Sequence, residues 1–297
     1  SLEVQRGVVI EEFKQRCLNQ PYGDIGHLLR PLAYQTHPYQ WPTIGKELSH
    51  IANATLEEVK AFFFRFYAPN NAILAVTGNI SFEEAVALTE KWFGSIPRRE
   101  VPQRNLPQEQ EQTEERRLTV ERNVPLDSLF MAYHMCDHRH PDYYVFDILS
   151  DVLSNGRSSR LNQHLVQEKQ LFSSIDAYIS GSVDAGLFHI AGKPSAGVSL
   201  ERAEAAVRDE LDRLQQELVD GQELEKVKNK FESTQIFGNI NYLNVATNLA
   251  WFELLGKAED LEKEVERYRS VTAMQLREVA QSAFRKENGV VLYYKSK

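Results

Sequence analysis

Glu11 and Glu12 stand side by side near the start of the chain, in the run Gln5-Arg6-Gly7-Val8-Val9-Ile10-Glu11-Glu12-Phe13. Val8, Val9 and Phe13 recur at helical spacing, so the run is expected to be an amphipathic helix carrying both carboxylates. Adjacent carboxylates can serve a metal ion, but on such a helix they more often mark the solvated face. The densest group of potential ligands lies elsewhere, in His134-Met135-Cys136-Asp137-His138-Arg139-His140. Imidazoles, a thiol and a carboxylate this close could hold zinc. The run follows an expected strand and meets Pro141, however, so its side chains alternate and do not converge. His37 precedes Pro38 in a turn and is expected to pack or hydrogen-bond rather than to ligate. Asn155-Gly156-Arg157-Ser158-Ser159-Arg160-Leu161 lacks the paired glycines and lysine of a nucleotide loop. Capping by Ser158 or Ser159 is the simpler expectation. No Ser-His-Asp or Cys-His arrangement has a recognisable local signature.

These residues need elements to position them. Thr55-Leu56-Glu57-Glu58 reads as a capping box opening a helix to about Tyr67, and Ser81-Phe82-Glu83-Glu84 as a second one. Between them, Ala72 to Thr77 reads as a buried strand. Helices are expected at about Tyr22–Ala33, Asp142–Leu153, Ser159–Lys169, Leu200–Val219, Glu223–Phe231, Tyr242–Leu255 and Leu261–Arg269. Strands are expected at Arg117–Glu121, Ser128–Met135, Ser173–Ile179 and Ala185–Gly192. Pro97 to Glu115, with three prolines and then mostly Gln and Glu, reads as an exposed linker. The end of the chain repeats an earlier unit without a gap. Tyr67 and Asn71 lie twelve and sixteen residues beyond Thr55, and Phe284 and Asn288 lie twelve and sixteen beyond Thr272. An apolar run follows each, which points to duplicated α+β domains.

The chain has 297 residues, enough for two cores, and 42% hydrophobic content, as in globular proteins. Its net charge of −8, with Lys and Arg scattered, offers no basic surface for nucleic acid. No apolar run approaches the roughly 20 residues of a membrane span. Cys17 and Cys136 form no C-x-x-C pair and are expected as buried or free thiols.

Arg6-Gly7-Val8-Val9-Ile10-Glu11-Glu12 resembles the second metal motif of the M16 zinc peptidases, the family of pitrilysin, insulin-degrading enzyme and mitochondrial processing peptidase. Tyr67-Ala68-Pro69-Asn70-Asn71-Ala72-Ile73-Leu74-Ala75-Val76-Thr77-Gly78, the His37-Pro38-Tyr39 loop with its Pro42-Thr43-Ile44-Gly45, and Gly156-Arg157-Ser158-Ser159-Arg160-Leu161 are similar to other runs of that family. The resemblance spans about Gln5 to Tyr294. It implies two related M16-type (LuxS/MPP-like) α+β domains, each a mainly antiparallel sheet with helices on one face. Residues 1–96 would be the C-terminal part of a truncated first, metal-site domain, 97–115 a linker and 116–297 the second domain.

By the same resemblance Glu12 is the third zinc ligand. The first two belong to an upstream His-x-x-Glu-His, which none of the eight histidines here forms. Where the family often has an acid seven residues before the ligand, this chain has Gln5. The chain is therefore expected to be the C-terminal portion of a zinc endopeptidase subunit that cleaves peptides in a closed chamber. As a fragment it would be inactive, with no catalytic residue of its own, and it would not hold the zinc of its full-length parent. Catalytic relatives carry an Arg and a Tyr in the non-zinc half, where this chain has Val166 and Ser173. That implies a second M16-like subunit supplying the pair. The alternative is a non-catalytic M16-like subunit that binds peptides or assembles a peptidase complex.

Overall fold

Strand β2, Ser128–His134, turns Leu129, Met131 and Tyr133 to one side and Ala132 to the other, and all four are buried. A strand buried on both sides must lie inside a sheet that is covered twice. The computed structural model, which describes residues 2–297, contains that sheet. Its other strands are β1 (Arg116–Arg122), β3 (Phe172–Ile179), β4 (Leu187–Pro194) and β5 (Gly289–Ser296), in the order β1-β5-β2-β4-β3. β1 and β5 run parallel, and the other neighbours are antiparallel. The fold is α+β, in keeping with the sequence.

The chain divides into two compact units, and these are not contiguous halves. The larger comprises Glu12–Lys46, Pro107–Phe231 and Glu266–Lys297 and holds the whole sheet. Helices α6 (Asp142–Ser154), α7 (Leu200–Gln216) and α11 (Ala273–Ala283) bury Leu149, Leu153, Val207, Leu211 and Leu276 with the Leu129, Met131, Tyr133, Val291 side of the sheet. The opposite side is also covered, which the sequence reading with helices on one face did not provide for. There α2 (Ile25–Ala33) and the residue after it bring Leu29, Ala33 and Tyr34 against Ala132, Leu187, Val290, Leu292 and Tyr294. The unbroken apolar run of β5 needs both covers, because its alternate residues enter different cores.

Glu204 on α7 organises a buried ionic group in this unit. It accepts from Arg117 Nη1 and Nη2 at 2.9 and 2.5 Å, Arg208 Nε at 2.8 Å and Tyr293 Oη at 2.5 Å. Glu115 pairs with both arginines and completes the charge balance.

The expected linker lacks regular structure, but its second part is not free. From Pro107 it belongs to the larger unit. Glu109 accepts backbone N–H bonds from Gln35, Thr36 and His37 at 2.8 to 2.9 Å. Gln112, buried, donates to the carbonyls of Glu287 and Gly289. Composition correctly excludes a packed apolar core here. It does not register that polar side chains can dock by satisfying backbone groups at a sheet end.

The smaller unit comprises residues 2–11, Glu47–Leu106 and Glu232–Val265, and is helical. It contains α3 (Leu48–Asn53), α4 (Leu56–Phe66), α5 (Phe82–Phe93) and α9 (Tyr242–Leu255). Thr55 and Glu58 form the expected reciprocal capping box, and Ser81 accepts from the N–H of Glu84. The expected strand from Ala72 to Thr77 does not form. Ala72 is extended, but among the described residues this unit offers no strand for the segment to pair with. A ladder takes at least two strands, and apolar composition cannot supply the missing one.

The repeat is visible in atomic detail. Thr272 and Gln275 reproduce the capping box at the start of α11. Asn71 Nδ2 donates to Phe66 O at 2.7 Å, and Asn288 Nδ2 to Ala283 O at 2.8 Å. The apolar run after Asn288 becomes β5, between β1 and β2. The equivalent run after Asn71 remains without a ladder.

Candidate functional site

Glu12 is on α1 (Leu2–Phe13), which continues as a wider π-helical turn over Lys14–Leu18. Phe13 and Cys17 are buried, Phe13 against the ring of His27 at 5.4 Å. Anchoring those two side chains leaves Glu12 toward solvent, its side chain 44% exposed. Its carboxylate pairs with Arg16 Nη2 at 2.9 Å, one turn on. π-Helical turns inside helices are frequent at functional positions, and this one begins two residues after the expected ligand.

The histidines do not gather around it. His37 is buried, with Nδ1 accepting from Tyr39 N at 3.2 Å and Nε2 facing Asp184 at 3.3 Å. His27 Nε2 bonds Gly45 O at 2.9 Å, and His164 Nδ1 meets the fully buried Glu210 at 2.8 Å. Within 134–140 the side chains diverge, as the strand-and-turn pattern suggests. The His134 ring lies edge-on to Tyr34, His138 stacks on Tyr143 at 3.9 Å, and His140 accepts from the N–H of Asp142. Asp137 accepts from the N–H of Arg139. Burial pushes the Cys136 thiol up to about 12, away from the thiolate a metal would need. Among the described residues no three His, Cys, Asp or Glu side chains are placed to share a metal ion. The described residues therefore do not by themselves assemble a metal centre around Glu12.

Ser159 does not cap as expected. Its hydroxyl donates to Gly156 O at 2.6 Å, closing the turn at Gly156, whose φ is +94°. The expected helix beyond it winds as π-helical turns over Leu161–Glu168, with Leu161 and Leu165 fully buried. Val166 packs against the core, and Ser173 Oγ donates to Lys193 O at 3.1 Å. Neither side chain can donate as Arg and Tyr do.

The strongly perturbed groups are explained by packing. Burial lowers His189 to about 4, helped by Arg30. Burial raises Asp147 on α6 to about 6, against the hydrogen bond it accepts from Tyr268 Oη at 2.5 Å. Such a carboxyl favours the fold while protonated in both states, and that contribution disappears as pH rises from about 4 to about 6. Asp147→Asn keeps an acceptor for Tyr268 and removes the ionisation. It should raise stability at pH 7 by on the order of 2 kcal/mol and flatten the pH dependence in that window, as measured by urea unfolding.

Among the described residues no helix is long and apolar enough to cross a membrane. The sequence profile described as "Peptidase M16 inactive domain" matches residues 53–231. The chain belongs to the M16 peptidase family. It is 29% identical over 229 residues to the zinc protease PqqE of Helicobacter pylori, covering 75% of this chain and 51% of that protein. The chain therefore matches about half the length of that relative. It is 28% identical over 202 residues to a Schizosaccharomyces pombe protein named as the beta subunit of the mitochondrial-processing peptidase, covering 64% and 44%. The crystal structure of a protease from Helicobacter pylori superposes with a TM-score of 0.91 at 26% identity, over 99% of this chain and 72% of that one.

Proposed function

We propose that this M16 chain is the C-terminal portion of a zinc-dependent endopeptidase subunit that cleaves peptides in a closed chamber. The carrying observation is Glu12. It lies in the run that resembles the family's second metal motif, on a helix anchored by Phe13 and Cys17 that leaves its carboxylate accessible. In this reading residues 1–96 are the end of the metal-site domain, 97–115 the connection and 116–297 the second domain. A bound zinc would activate water for peptide hydrolysis. This chain's part is to hold one carboxylate on a fixed helix, and its described residues alone are inactive. Core-bound Val166 and the short Ser173 support a partner subunit that brings the Arg and Tyr donors, as the word "subunit" in the S. pombe name also suggests. The same absence of donors favours, as a second reading, a non-catalytic M16-like subunit that binds peptides or assembles a complex.

The test uses the full-length protein. It should carry His-x-x-Glu-His upstream of Gln5 and bind one zinc, and Glu12→Gln should lower zinc affinity at least tenfold with the far-ultraviolet spectrum unchanged. Full zinc retention in Glu12→Gln would remove Glu12 as a ligand. A full-length protein with neither the upstream motif nor zinc would leave the non-catalytic reading.

A further inference from the structure

The second side of the sheet is covered unevenly. α2 lies over β5 and β2, and Leu187 of β4 is the last residue in its core. Beyond Leu187 the same side is floored by alternate residues of β4 and β3. His189 stands opposite Tyr178, Ala191 opposite Asp176 and Lys193 opposite Ser174. Tyr178 is 50% exposed, and Ser174, Asp176 and Lys193 are exposed as well. This part of the floor is polar and open.

Arg30 stands at the step where α2 gives way to it. It lies one turn before Tyr34, whose hydroxyl donates at 3.0 Å to Ala185 O, just ahead of β4. Half-buried, Arg30 makes one long bond, from Nη1 to Tyr39 O at 3.4 Å, and among the described residues it pairs with no carboxylate. It is close enough to two rings of the floor to act on their ionisation. Burial raises the Tyr178 phenol and lowers the His189 imidazole, and Arg30 pushes both down. The two rings stack at 4.9 Å with their planes 16° apart. Among the described residues neither the nitrogens of His189 nor the hydroxyl of Tyr178 has a hydrogen-bond partner. The acids nearby do not fill the gap. Asp176 acts on Tyr178 without pairing with Arg30, and Asp184 faces His37 at 3.3 Å. Lys193 is placed over the Tyr22 ring at 5.2 Å.

We infer that Arg30, His189 and Tyr178 form a binding site for a carboxylate of a peptide, on the open part of the sheet. A guanidinium offers parallel N–H donors matched to the two oxygens of a carboxylate. A neutral imidazole adds one N–H whichever its tautomer, and the phenol adds one O–H. The floor therefore holds a cation and two neutral donors for which the described residues supply no anion. That the carboxylate belongs to a peptide rests on the function proposed above, which gives this chain peptides to handle.

The test measures binding by fluorescence anisotropy on the 297-residue chain without zinc. The probes are three labelled peptides of one uncharged sequence. One is amidated at its C-terminus, one has a free C-terminus, and one is amidated with an internal Gln replaced by Glu. At least one of the two carboxylate peptides should bind about tenfold more tightly than the uncharged amide. Preference for the free terminus identifies a terminal carboxylate, and preference for the Glu peptide an acidic side chain. Arg30→Gln should abolish the preference, and Arg30→Lys should retain part of it, because charge remains without the fork. Arg139→Gln, on exposed surface away from the floor, should leave it intact. Equal binding of all three peptides would overturn the site, as would a preference that survives Arg30→Gln. If Arg30→Gln changes the far-ultraviolet spectrum, Tyr178→Phe decides. It removes one hydroxyl from a half-exposed ring and should weaken carboxylate binding about threefold, with the amide unaffected. No change there would overturn the site equally. Neither zinc nor cleavage enters this measurement, so its failure is distinct from failure of the Glu12 assignment.

Discussion

Phe188→Ala should lower unfolding free energy by about 3–5 kcal/mol, the usual cost of emptying an aromatic site in a packed core. Phe188 is fully buried on β4, with Phe284 at 5.0 Å and Phe146 at 6.4 Å between ring centroids. Its place in the sheet lies between residues of β2 and β3, opposite Tyr133 and Ile179. The cavity would therefore open among a strand and two helices that cannot collapse together. Urea unfolding followed by circular dichroism checks it, with Phe82→Ala as control because Phe82 is 79% exposed. A loss below about 1 kcal/mol for Phe188→Ala would contradict the packing described for this core.

Glu204→Ala should cost a comparable 3–5 kcal/mol, because it strands Arg117, Arg208 and the Tyr293 hydroxyl around a vanished acceptor. Burial alone would raise this carboxyl, but hydrogen bonds from Arg117, Tyr293 and Arg208 outweigh it and hold it down at about 2. A carboxylate lowered on folding contributes its stability above the ordinary range near 4.5, and that contribution is lost as pH falls through about 2. Acid unfolding of the native chain should therefore include a component between pH 4.5 and 2 that Glu204→Gln abolishes. An unchanged acid limb in Glu204→Gln would show that the pairing is not what holds the group ionised.

Elements whose cause is local were legible in the sequence. Thr55 with Glu58 and Thr272 with Gln275 signal helix starts by side chain and spacing, and both boxes form. α9 spans Tyr242–Leu255 as expected, and α6 runs one residue past its expected end. Nonlocal causes were not legible. Ala72 to Thr77 has strand composition, but a strand is a relation between segments. The docking of Glu109 and Gln112 depends on backbone groups more than seventy residues away in sequence. For the site, Glu12 was found through a motif. Its exposure agrees with the solvated face that adjacent carboxylates mark on a helix, whereas its Arg16 partner and the π-helical turn after it were not foreseen, since helical periodicity cannot register an inserted residue.

The sheet also sets an order of events during synthesis. β5, the last strand of the sheet in chain order, lies between β1 and β2, with Arg116 opposite Val290 on one side and Ser128 opposite Tyr294 on the other. While the chain is emerging from the ribosome, β1 has no neighbour at all, and β2, β3 and β4 can form only a three-stranded edge. Closure waits for β5, a topology dominated by distant pairings that fold slowly. Until then the apolar side chains of β2 are open to other nascent chains, and a chain without β5 would lack the middle of the sheet rather than its margin. Emergence of β5, rather than of the four strands before it, is the moment at which this sheet becomes able to close.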